Sequence, residues 1–503
     1  MKNERISLNP DPLVSFLDKP AKDFTKSDLI RFIEDRQIKM LNFRFPGADG
    51  RLKTLNFVIT NRWHLDRILS AGERVDGSSL FPFYIEPGAS DLYVIPRYRT
   101  AFLNPFSEIP ALDILCSYYD KDGQPFENSP EYILCKAHKS LKETTGLSFD
   151  VMGELEYYVI NEKNDLYEAF DQRGYQESFP FAKWEQLRTE AMFAIAQCGG
   201  IIKYGHSEVG NFTEDGFDYE QNEIEFLPVP LEEAADQLVI AKWILRSLAY
   251  QYGVTVTFAP KITTGKAGSG LHVHTRLMKG EENKMIENGA MTDTAKKAIA
   301  GYLQMAPSLT AFGNTIPTSY FRLVPNQEAP TTICWGDRNR SALVRVPLGW
   351  QGKNEMIYHA NPDIAREDDG NFSVRQTVEF RAPDGSADIY LLMAGLTVAA
   401  RYGFEMKGAL EYAEKTYVDY GALKDKNAAN ILELQHLPVS CSESADCLSE
   451  QRAIYEKFNV FPERIINGII SKLKAYNDGK LRETLGSNEK ELMKIVNTYI
   501  HCG

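Results

Sequence analysis

Two glutamates stand two residues apart in an apolar, aromatic run. Met152-Gly-Glu-Leu-Glu-Tyr-Tyr-Val-Ile160 has the composition of a largely buried β-strand, in which Glu154 and Glu156 point to the same face. Carboxylates held so close repel one another, and burial makes unpaired charges costly. A surface strand with two solvated acids is the simpler interpretation, but the apolar neighbours disfavour it. A divalent cation explains the pattern, and it needs further ligands elsewhere in the chain.

Length and charge bound the class of protein. A chain of 503 residues with 43% hydrophobic content can build a small and a large domain. The net charge of −13 disfavours a nucleic-acid or anionic-membrane partner. No apolar stretch is long enough to span a bilayer and the first residues lack a signal-peptide core, so we expect a cytoplasmic location. The seven cysteines include no C-x-x-C pair, which predicts reduced thiols.

Local patterns predict alternating strands and helices. A short helix at 27–35 precedes a β-hairpin, whose strands at 38–45 and 52–59 are joined by a Pro-Gly-Ala-Asp-Gly turn. Helical periodicity follows at 131–143, 184–197, 231–252 and 292–309. We divide the chain into an N-terminal lead and helix (1–36), a small domain (37–128) and a large domain (129–503). Neither G-x-G-x-x-G nor a Walker loop is present, so any nucleotide is held another way.

Polar residues in later β-like runs supply candidate partners for the glutamate pair. Each residue alone is more often a surface or structural group, but together they predict a site rich in carboxylate oxygen with one imidazole. Such donors suit Mg²⁺ or Mn²⁺ better than zinc, and two adjacent metals are expected. The candidates are Glu208, Glu223, His272, His274 and Glu379.

A second set of residues supplies positive charge. Arginines beside prolines and polar turns bind carboxylates and phosphates through paired N–H groups, and near metal-binding carboxylates they fit phosphoryl transfer to an anionic substrate. Salt bridges at a strand or helix edge are the alternative for each arginine taken singly. The set comprises Arg322, Arg338, Arg340, Arg345 and Arg381.

Taken in order, these motifs resemble those of glutamine synthetase, over nearly the whole chain. The matching segments are Asp76-Gly-Ser-Ser79, Gly153-Glu-Leu-Glu156, His206-Ser-Glu-Val209, Gln221-Asn-Glu223, Gly268-Ser-Gly-Leu-His272, Arg322-Leu-Val-Pro325, Glu328-Ala-Pro330, Asn339-Arg-Ser-Ala342 and Glu379-Phe-Arg381. The resemblance implies an α+β protein. A small N-terminal β-grasp domain would precede a large catalytic domain with a curved antiparallel sheet and surrounding helices. It also implies a ring-shaped homo-oligomer, or stacked rings, with active sites between subunits.

The resemblance assigns the metal ligands to two sites. Glu156, Glu208 and Glu223 would bind the metal nearer the amino-acid substrate. Glu154, His272 and Glu379 would bind the metal that gathers the phosphates of ATP. His274 and Arg345 would contact the nucleotide.

The resemblance also assigns substrate and catalytic residues. Arg322 and Arg381 would hold the glutamate carboxylate, which Gly268 approaches through its backbone. The transferring phosphate would contact Arg340 and Arg345, with Arg340 also catalytic. The ammonium pocket would contain Tyr175 of the same subunit and Asp76 of a neighbour, and Glu328, on a flap, would help deprotonate ammonium.

Three departures bear on specificity. Ala267 replaces an asparagine that contacts glutamate in the family, Arg276 replaces a serine near the nucleotide, and Thr377 replaces an arginine. The segments 209–220 and 348–375 are longer than expected.

Three functions therefore remain open from the sequence. We expect ATP-dependent glutamate–ammonia ligation. A γ-glutamyl ligase for an organic amine is the first alternative, and a non-catalytic structural or regulatory relative is the second.

Overall fold

The computed structural model describes residues 6–82, 84–85, 90–168, 170–263, 265–324, 329–349, 355–365, 375–419, 434–481, 483 and 488–503. The helices within them are α1 (Pro12–Leu17), α2 (Lys26–Asp35), α3 (Arg62–Ala71), α4 (Gly77–Leu80), α5 (Pro130–Thr145), α6 (Glu185–Gln197), α7 (Leu231–Tyr252), α8 (Asp293–Gly313), α9 (Ser319–Arg322), α10 (Glu355–Ala360), α11 (Ile389–Glu405), α12 (Ala409–Lys415), α13 (Cys441–Glu456), α14 (Glu463–Ala475) and α15 (Glu489–Tyr499). Short 3₁₀ turns lie at Ala21–Asp23, Tyr98–Thr100 and Lys457–Asn459. None of the helices in these ranges is long and apolar enough to cross a membrane.

The strands form two main sheets. Their bounds are β1 (Met40–Pro46), β2 (Leu52–Val58), β3 (Glu73–Asp76), β4 (Asp91–Pro96), β5 (Phe102–Leu103), β6 (Ala111–Tyr119), β7 (Ser148–Glu162), β8 (Ile202–Glu214), β9 (Phe217–Phe226), β10 (Val229–Pro230), β11 (Thr255–Thr257), β12 (Leu271–Lys279), β13 (Glu282–Asn283), β14 (Ile286–Glu287), β15 (Ala290–Met291), β16 (Trp335–Asp337), β17 (Val344–Val346) and β18 (Val378–Phe380). The N-terminal sheet has the order β2-β1-β6-β4-β3, with β5 beside β6. The larger sheet has the order β16-β17-β18-β12-β7-β9-β8.

The N-terminal sheet is the β-grasp domain that the sequence predicted. Its hairpin pairs Met40 with Val58 and Pro46 with Leu52, close to the expected bounds. Strand β6 pairs with β1 in parallel and connects the hairpin to β4 and β3 within one sheet. Helix α2 contacts α1 and α3 and begins at a capping box, in which the side chains of Thr25 and Asp28 each accept a hydrogen bond from the other residue's backbone N–H.

Local signals fix the ends of the helices that flank the larger sheet. Helix α5 begins at Pro130, whose missing N–H breaks no helical hydrogen bond because the first N–H groups of a helix have no partner within it. The helix ends at Gly146, whose φ of 71° is a left-handed conformation that glycine adopts without strain. Helix α7 ends at Gly253, with φ 69°. Both helices cover β7, so the strand that carries the glutamate pair is buried along most of its length.

Helices α8 and α11 cross at a pair of glycines in the core. A Cβ added to Gly403 would collide with the carbonyl oxygen of Lys297 and lie 3.0 Å from the Gly301 nitrogen. We therefore expect Gly403→Ala to lower the free energy of unfolding by about 1–3 kcal/mol, because the helices must separate. Chemical denaturation measures the change. Gly479→Ala is the control, since nothing lies within 4 Å of that Cβ; equal stability of the two variants would contradict the close crossing.

Candidate active site

Strand register brings the predicted acids together on one face of the larger sheet. Glu154 and Glu156 of β7 lie opposite Glu225 and Glu223 of β9. On the other side of β7, His272 of β12 lies opposite Glu154. Alternate residues of a strand share a face, so these side chains converge above the same surface.

That surface is the floor of a cavity of about 1100 Å³, called here the central cavity. Its volume suits substrate-sized ligands. Most residues singled out in the sequence line it, namely Glu154, Glu156, Tyr175, Glu208, Glu223, Gly268, His272, His274, Arg322, Arg340, Arg345, Glu379 and Arg381.

One candidate cation group matches the sequence assignment. Ligand atoms of Glu154, His272 and Glu379 all lie within 4.8 Å of one another. The His272 Nδ1 atom is 2.9 Å from a Glu154 oxygen and 3.7 Å from a Glu379 oxygen. Arg345 and Arg381 donate to opposite oxygens of Glu379, at 2.8 and 2.9 Å, and hold its carboxylate in place.

The second candidate cation group was expected to contain Glu156, Glu208 and Glu223, but it contains His206 in place of Glu156. His206, Glu208 and Glu223 have ligand atoms within 4.8 Å of one another, and so do Glu154, Glu223 and Glu225. Glu156, expected beside Glu208 and Glu223, instead accepts a hydrogen bond from the Gly270 N–H at 2.7 Å. The backbone contact turns one of its oxygens towards the loop before β12.

The electrostatics of the second group favour a cation. Burial raises the pKa of Glu223 well above its usual range, and the nearby Glu154, Glu156 and Glu208 raise it further. Burial also raises the pKa of Glu208 to about 7, with Glu156 the next contributor. Several carboxylates therefore share one small volume, where a bound cation would offset their repulsion. Oxygen donors with one imidazole fit Mg²⁺ or Mn²⁺.

The pKa of Glu154 is shifted in the opposite direction, below its usual range. Burial alone would raise its pKa, but the charge of His274 and hydrogen bonds from His272 and His274 outweigh burial and lower it. Both ring nitrogens of His274 are engaged, Nε2 with Glu154 at 2.7 Å and Nδ1 with the Thr377 hydroxyl at 2.9 Å. Thr377, one of the departures, thus orients an imidazole predicted to contact the nucleotide.

The arginines form the cationic wall of the central cavity. The Arg322 guanidinium donates to the Ala382 carbonyl at 2.8 Å and lies 3.4 Å from His272 Nε2. Arg381 also donates to the backbone carbonyl of Arg340, which ties two of the predicted substrate-binding residues together. The central cavity therefore combines these guanidinium groups with the carboxylates of the candidate cation groups.

The loop before β12 approaches the cavity through its backbone. A Cβ on Gly268 would lie 2.5 Å from the Pro260 carbonyl oxygen and 3.1 Å from Arg322, so only glycine fits. The neighbouring Ala267 is fixed by backbone contacts, since its carbonyl accepts from the Tyr158 hydroxyl at 2.8 Å. Arg276, another departure, is paired with Asp150 at 2.8 Å.

Gln221 holds this loop against Glu156. Its amide nitrogen donates to the Gly268 carbonyl at 2.9 Å and lies 3.2 Å from Glu156 Oε2, while its oxygen accepts from the Gly210 N–H at 3.0 Å. The side chain is 2% exposed. The sequence placed Gln221 in a motif but gave it no role.

We expect Gln221→Leu to reduce metal affinity or turnover by about 10–100-fold, because it releases Glu156 and the Gly268 loop. Calorimetry with Mn²⁺ and steady-state kinetics measure both quantities. Gln186→Leu is the matched control, since the exposed Gln186 side chain donates to Glu190 at 2.9 Å on the surface. A Gln221→Leu protein that lost stability yet kept metal affinity and turnover would show a purely structural role.

Alternation along β8 adds two residues, Tyr204 and His206, for which the sequence predicted no role. Tyr204, His206 and Glu208 share one face, and the Tyr204 hydroxyl donates to Glu225 at 2.6 Å, beside Lys203. The His206 ring lies 5.3 Å from that of Tyr175 and 5.8 Å from that of Tyr204. These three rings form the aromatic wall of the cavity. The alternation of Tyr204, His206 and Glu208 in the sequence could have predicted that these side chains share one face of a strand.

One predicted catalytic residue, Asp76, does not line this cavity in the described part of the chain. Asp76 is exposed on the β-grasp domain, where it caps α4 by accepting from the Ser78 N–H at 2.9 Å. Glu328 lies outside the described residues.

The comparisons with known proteins agree with this architecture. The family model of the glutamine synthetase β-grasp domain matches residues 37–121, and that of the glutamine synthetase catalytic domain matches residues 127–491. A glutamine synthetase of Staphylococcus epidermidis is 28% identical over 443 residues, covering 86% of this chain and 91% of its own. A Thermotoga maritima glutamine synthetase is 28% identical over 439 residues, covering 85% and 90%.

Solved structures share the fold at lower identity. Plasmodium falciparum glutamine synthetase superposes with a TM-score of 0.74 at 20% identity, covering 94% of this chain and 99% of its own. A GmaS–ADP complex has a TM-score of 0.73 at 17% identity, covering 93% and 99%.

Fold and site together define a carbon–nitrogen ligase that uses ATP and divalent metal ions. The two family matches span most of the chain, which belongs to the glutamine synthetase family.

Proposed function

We propose that this protein ligates glutamate and ammonia. The γ-phosphoryl group of ATP passes to the γ-carboxylate of glutamate, and ADP leaves. Ammonia then attacks the carbonyl carbon of the acyl phosphate, which loses phosphate and a proton to give glutamine. The observation that carries the proposal is the buried carboxylate cluster facing several guanidinium groups in one cavity.

The donor sets fit two or more divalent ions. Glu154, His272 and Glu379 would hold one ion, and Glu208 and Glu223, with Glu156 or His206, the other. When bound, such ions neutralise phosphate oxygens during phosphoryl transfer.

The chain's own groups would bind and orient the substrates. Arg322 and Arg381 would receive the amino-acid carboxylate beside the Gly268 backbone, and Arg340 and Arg345 the transferring phosphate. The guanidinium groups of Arg322, Arg345 and Arg381 are fixed by backbone carbonyls or by Glu379, so little side-chain freedom is lost on binding.

The position of Asp76 supports a shared active site. Because it lies on the small domain away from the cavity of its own chain, we propose that a neighbouring subunit of a homo-oligomer supplies it. Asp76→Ala and Glu223→Gln proteins would each be inactive, and dissociating and reassembling them together would restore sites that contain both wild-type residues. A mixture as inactive as its components would contradict the shared site.

A γ-glutamyl ligase for an organic primary amine is the second candidate. The aromatic wall favours it, because Tyr175 and Tyr204 are 48% and 43% exposed and could receive the body of an amine. The loss of an asparagine side chain at Ala267 also alters the substrate pocket. This reaction shares the acyl-phosphate step with the first candidate.

Phosphate release with ATP, glutamate and either ammonium or a panel of primary amines separates the two activities. We expect saturable turnover with ammonium and none with the Glu223→Gln protein. Turnover with one amine at low concentration, and none with ammonium, would replace the first activity by the second. A chain that bound no Mg²⁺ or Mn²⁺ in calorimetry, even with nucleotide present, would instead be a non-catalytic relative.

A further inference from the structure

The residues that follow α15, called here the 500–503 segment, contact both domains. From the small domain, the Arg51 side chain donates to the His501 carbonyl at 3.0 Å. From α7 of the large domain, the Arg246 side chain donates to the Cys502 carbonyl at 2.7 Å. Among the described residues that line the central cavity, none belongs to this segment. The proposed ligase reaction therefore gives it no role.

Gly503 packs so closely on the large domain that no side chain fits there. A Cβ added to Gly503 would lie 2.0 Å from the Gly385 carbonyl oxygen and 2.3 Å from Lys242 Nζ. Lys242 is buried and donates to the same carbonyl at 2.8 Å, so the carbonyl cannot move without disturbing a buried hydrogen bond. The 500–503 segment is thus held in one position by contacts along its length.

The 500–503 segment also holds the stretch of chain that leads from β11 to the loop before β12. The fully buried Thr257 hydroxyl donates to the Ile500 carbonyl and accepts from the Ala259 N–H, the latter at 3.0 Å. One hydroxyl group therefore ties the segment to the turn that follows β11.

An apolar cluster provides a second connection between the segment and the same loop. Ile500 and Cys502 both pack against this cluster. Its buried members are Tyr158, Phe212, Tyr219, Ala259 and Ile262. The Tyr158 hydroxyl donates to the Ala267 carbonyl at 2.8 Å, so the cluster bears directly on the loop.

The loop before β12 is held in turn by Pro260. The Pro260 carbonyl accepts from the Ser269 N–H at 3.1 Å, and a Cβ on Gly268 would lie 2.5 Å from the same oxygen. The next residue, Gly270, donates its N–H to Glu156 at 2.7 Å. A displacement of Pro260 would therefore move the backbone at Gly268 and disturb the orientation of Glu156.

We propose that the 500–503 segment positions the Gly268 backbone for the amino-acid substrate from outside the central cavity. One connection runs through Thr257 to Pro260, and the other runs through the apolar cluster to Ala267. Residues of the segment are positioning residues, since they do not touch the reacting groups. Through Arg51, the placement of the small domain bears on the same loop.

The expected effect falls on the amino-acid substrate rather than on the nucleotide. Ala267 and Gly268 line the cavity beside Arg322. The groups predicted to contact the nucleotide are held by other residues, His274 by Thr377 and Arg345 by Glu379. This part of the inference rests on the proposed function, whereas the structural coupling does not.

Hydrogen exchange tests the structural coupling in the full chain without substrates. Gly503→Ala should displace the segment and make exchange of peptides from 257–263 and 265–270 at least about tenfold faster, because local opening meets less resistance. His501→Ala is the matched control, since it changes only an exposed side chain of the same segment and should exchange like the wild type. Unchanged exchange of these peptides in Gly503→Ala would overturn the proposal.

Thr257→Val provides the same test if Gly503→Ala does not fold. It removes the hydroxyl that binds the Ile500 carbonyl, and it should also speed exchange of the peptides from 265–270. Thr257→Ser keeps the hydroxyl and should restore slow exchange. Exchange as fast in Thr257→Ser as in Thr257→Val would contradict the role of this hydrogen bond and overturn the proposal.

Steady-state kinetics distinguishes positioning from general destabilisation. With the proposed activity, the KM for glutamate should rise about tenfold in Gly503→Ala and in Thr257→Val, because the loop is misplaced, while the KM for ATP changes less than about twofold. Equal increases of the two KM values would indicate a merely structural role and overturn the proposal. If the chain lacked the proposed ligase activity, the exchange measurements would still decide the coupling.

Discussion

Replacing Glu223 by glutamine is expected to abolish turnover while leaving the metal-free protein as stable as the wild type or more so. Glu223 is 5% exposed, and Glu154, Glu156 and Glu208 all raise its pKa. The substitution keeps the shape of the side chain but removes a metal-binding charge. Loss of transition-state neutralisation worth several kcal/mol corresponds to a rate decrease of roughly a thousandfold or more.

Three measurements check this expectation: phosphate release, Mn²⁺ binding by calorimetry, and denaturation in chelator. Glu162→Gln is the matched control, because Glu162 lies at the exposed end of the same strand, β7, far from the cluster. Normal turnover of the Glu223→Gln protein would remove Glu223 from the metal-binding set. Lower stability of its metal-free form would show that repulsion is not the dominant effect there.

Replacing Asp236 by alanine is expected to lower the free energy of unfolding by about 3–5 kcal/mol, the cost of leaving buried charges without a partner. Asp236 is 5% exposed and binds Arg97 and Arg99 from the small domain and the Tyr390 hydroxyl from α11, the last at 2.8 Å. Chemical denaturation measures the effect, and Asp165→Ala, at an exposed ion pair, is the control. A change as small as that of the control would mean that the Asp236 ion pairs contribute little to holding the domains together.

Acid should remove the same stabilisation. Burial raises the pKa of Asp236, but the charges of Arg97 and Arg99 outweigh burial and lower it. A carboxyl group whose folded pKa is depressed stabilises the protein above its unfolded pKa, about 3.9, and that stability is lost as pH falls through the folded pKa. The stability difference between the wild type and Asp236→Asn should therefore be constant near neutrality and shrink below about pH 4. A difference that persisted into stronger acid would contradict the pairing.

Local patterns predicted much of the fold. The hairpin of β1 and β2, helix α2 and helices α5 to α8 lie close to the predicted bounds, since turn chemistry and amphipathic periodicity mark them. Helix α11 was not predicted. Nearly every residue from Ile389 to Gly403 is buried, so the sequence lacks the polar face that would show a helical period.

The candidate site was only partly predictable. Motif order gave most of the acids and arginines that line the central cavity. It gave no role to Gln221, whose importance comes from its contact with the Gly268 loop, 47 residues away in the chain. It also did not identify Tyr204, Lys203 and Glu225, which line the central cavity and contact one another because β8 and β9 are paired.

The alternation of side chains along a strand placed Glu154 and Glu156 on one face, and this much is local geometry that the amino-acid sequence fixes. Which residues meet those carboxylates depends on the register between strands, because a slip of one residue moves every side chain to the other face. That register put His272 beside Glu154, and Gly270 and Gln221 beside Glu156. The resemblance already grouped Glu154 with His272 and Glu379, but only the folded chain could decide that Glu156 also anchors the loop that contains Gly268.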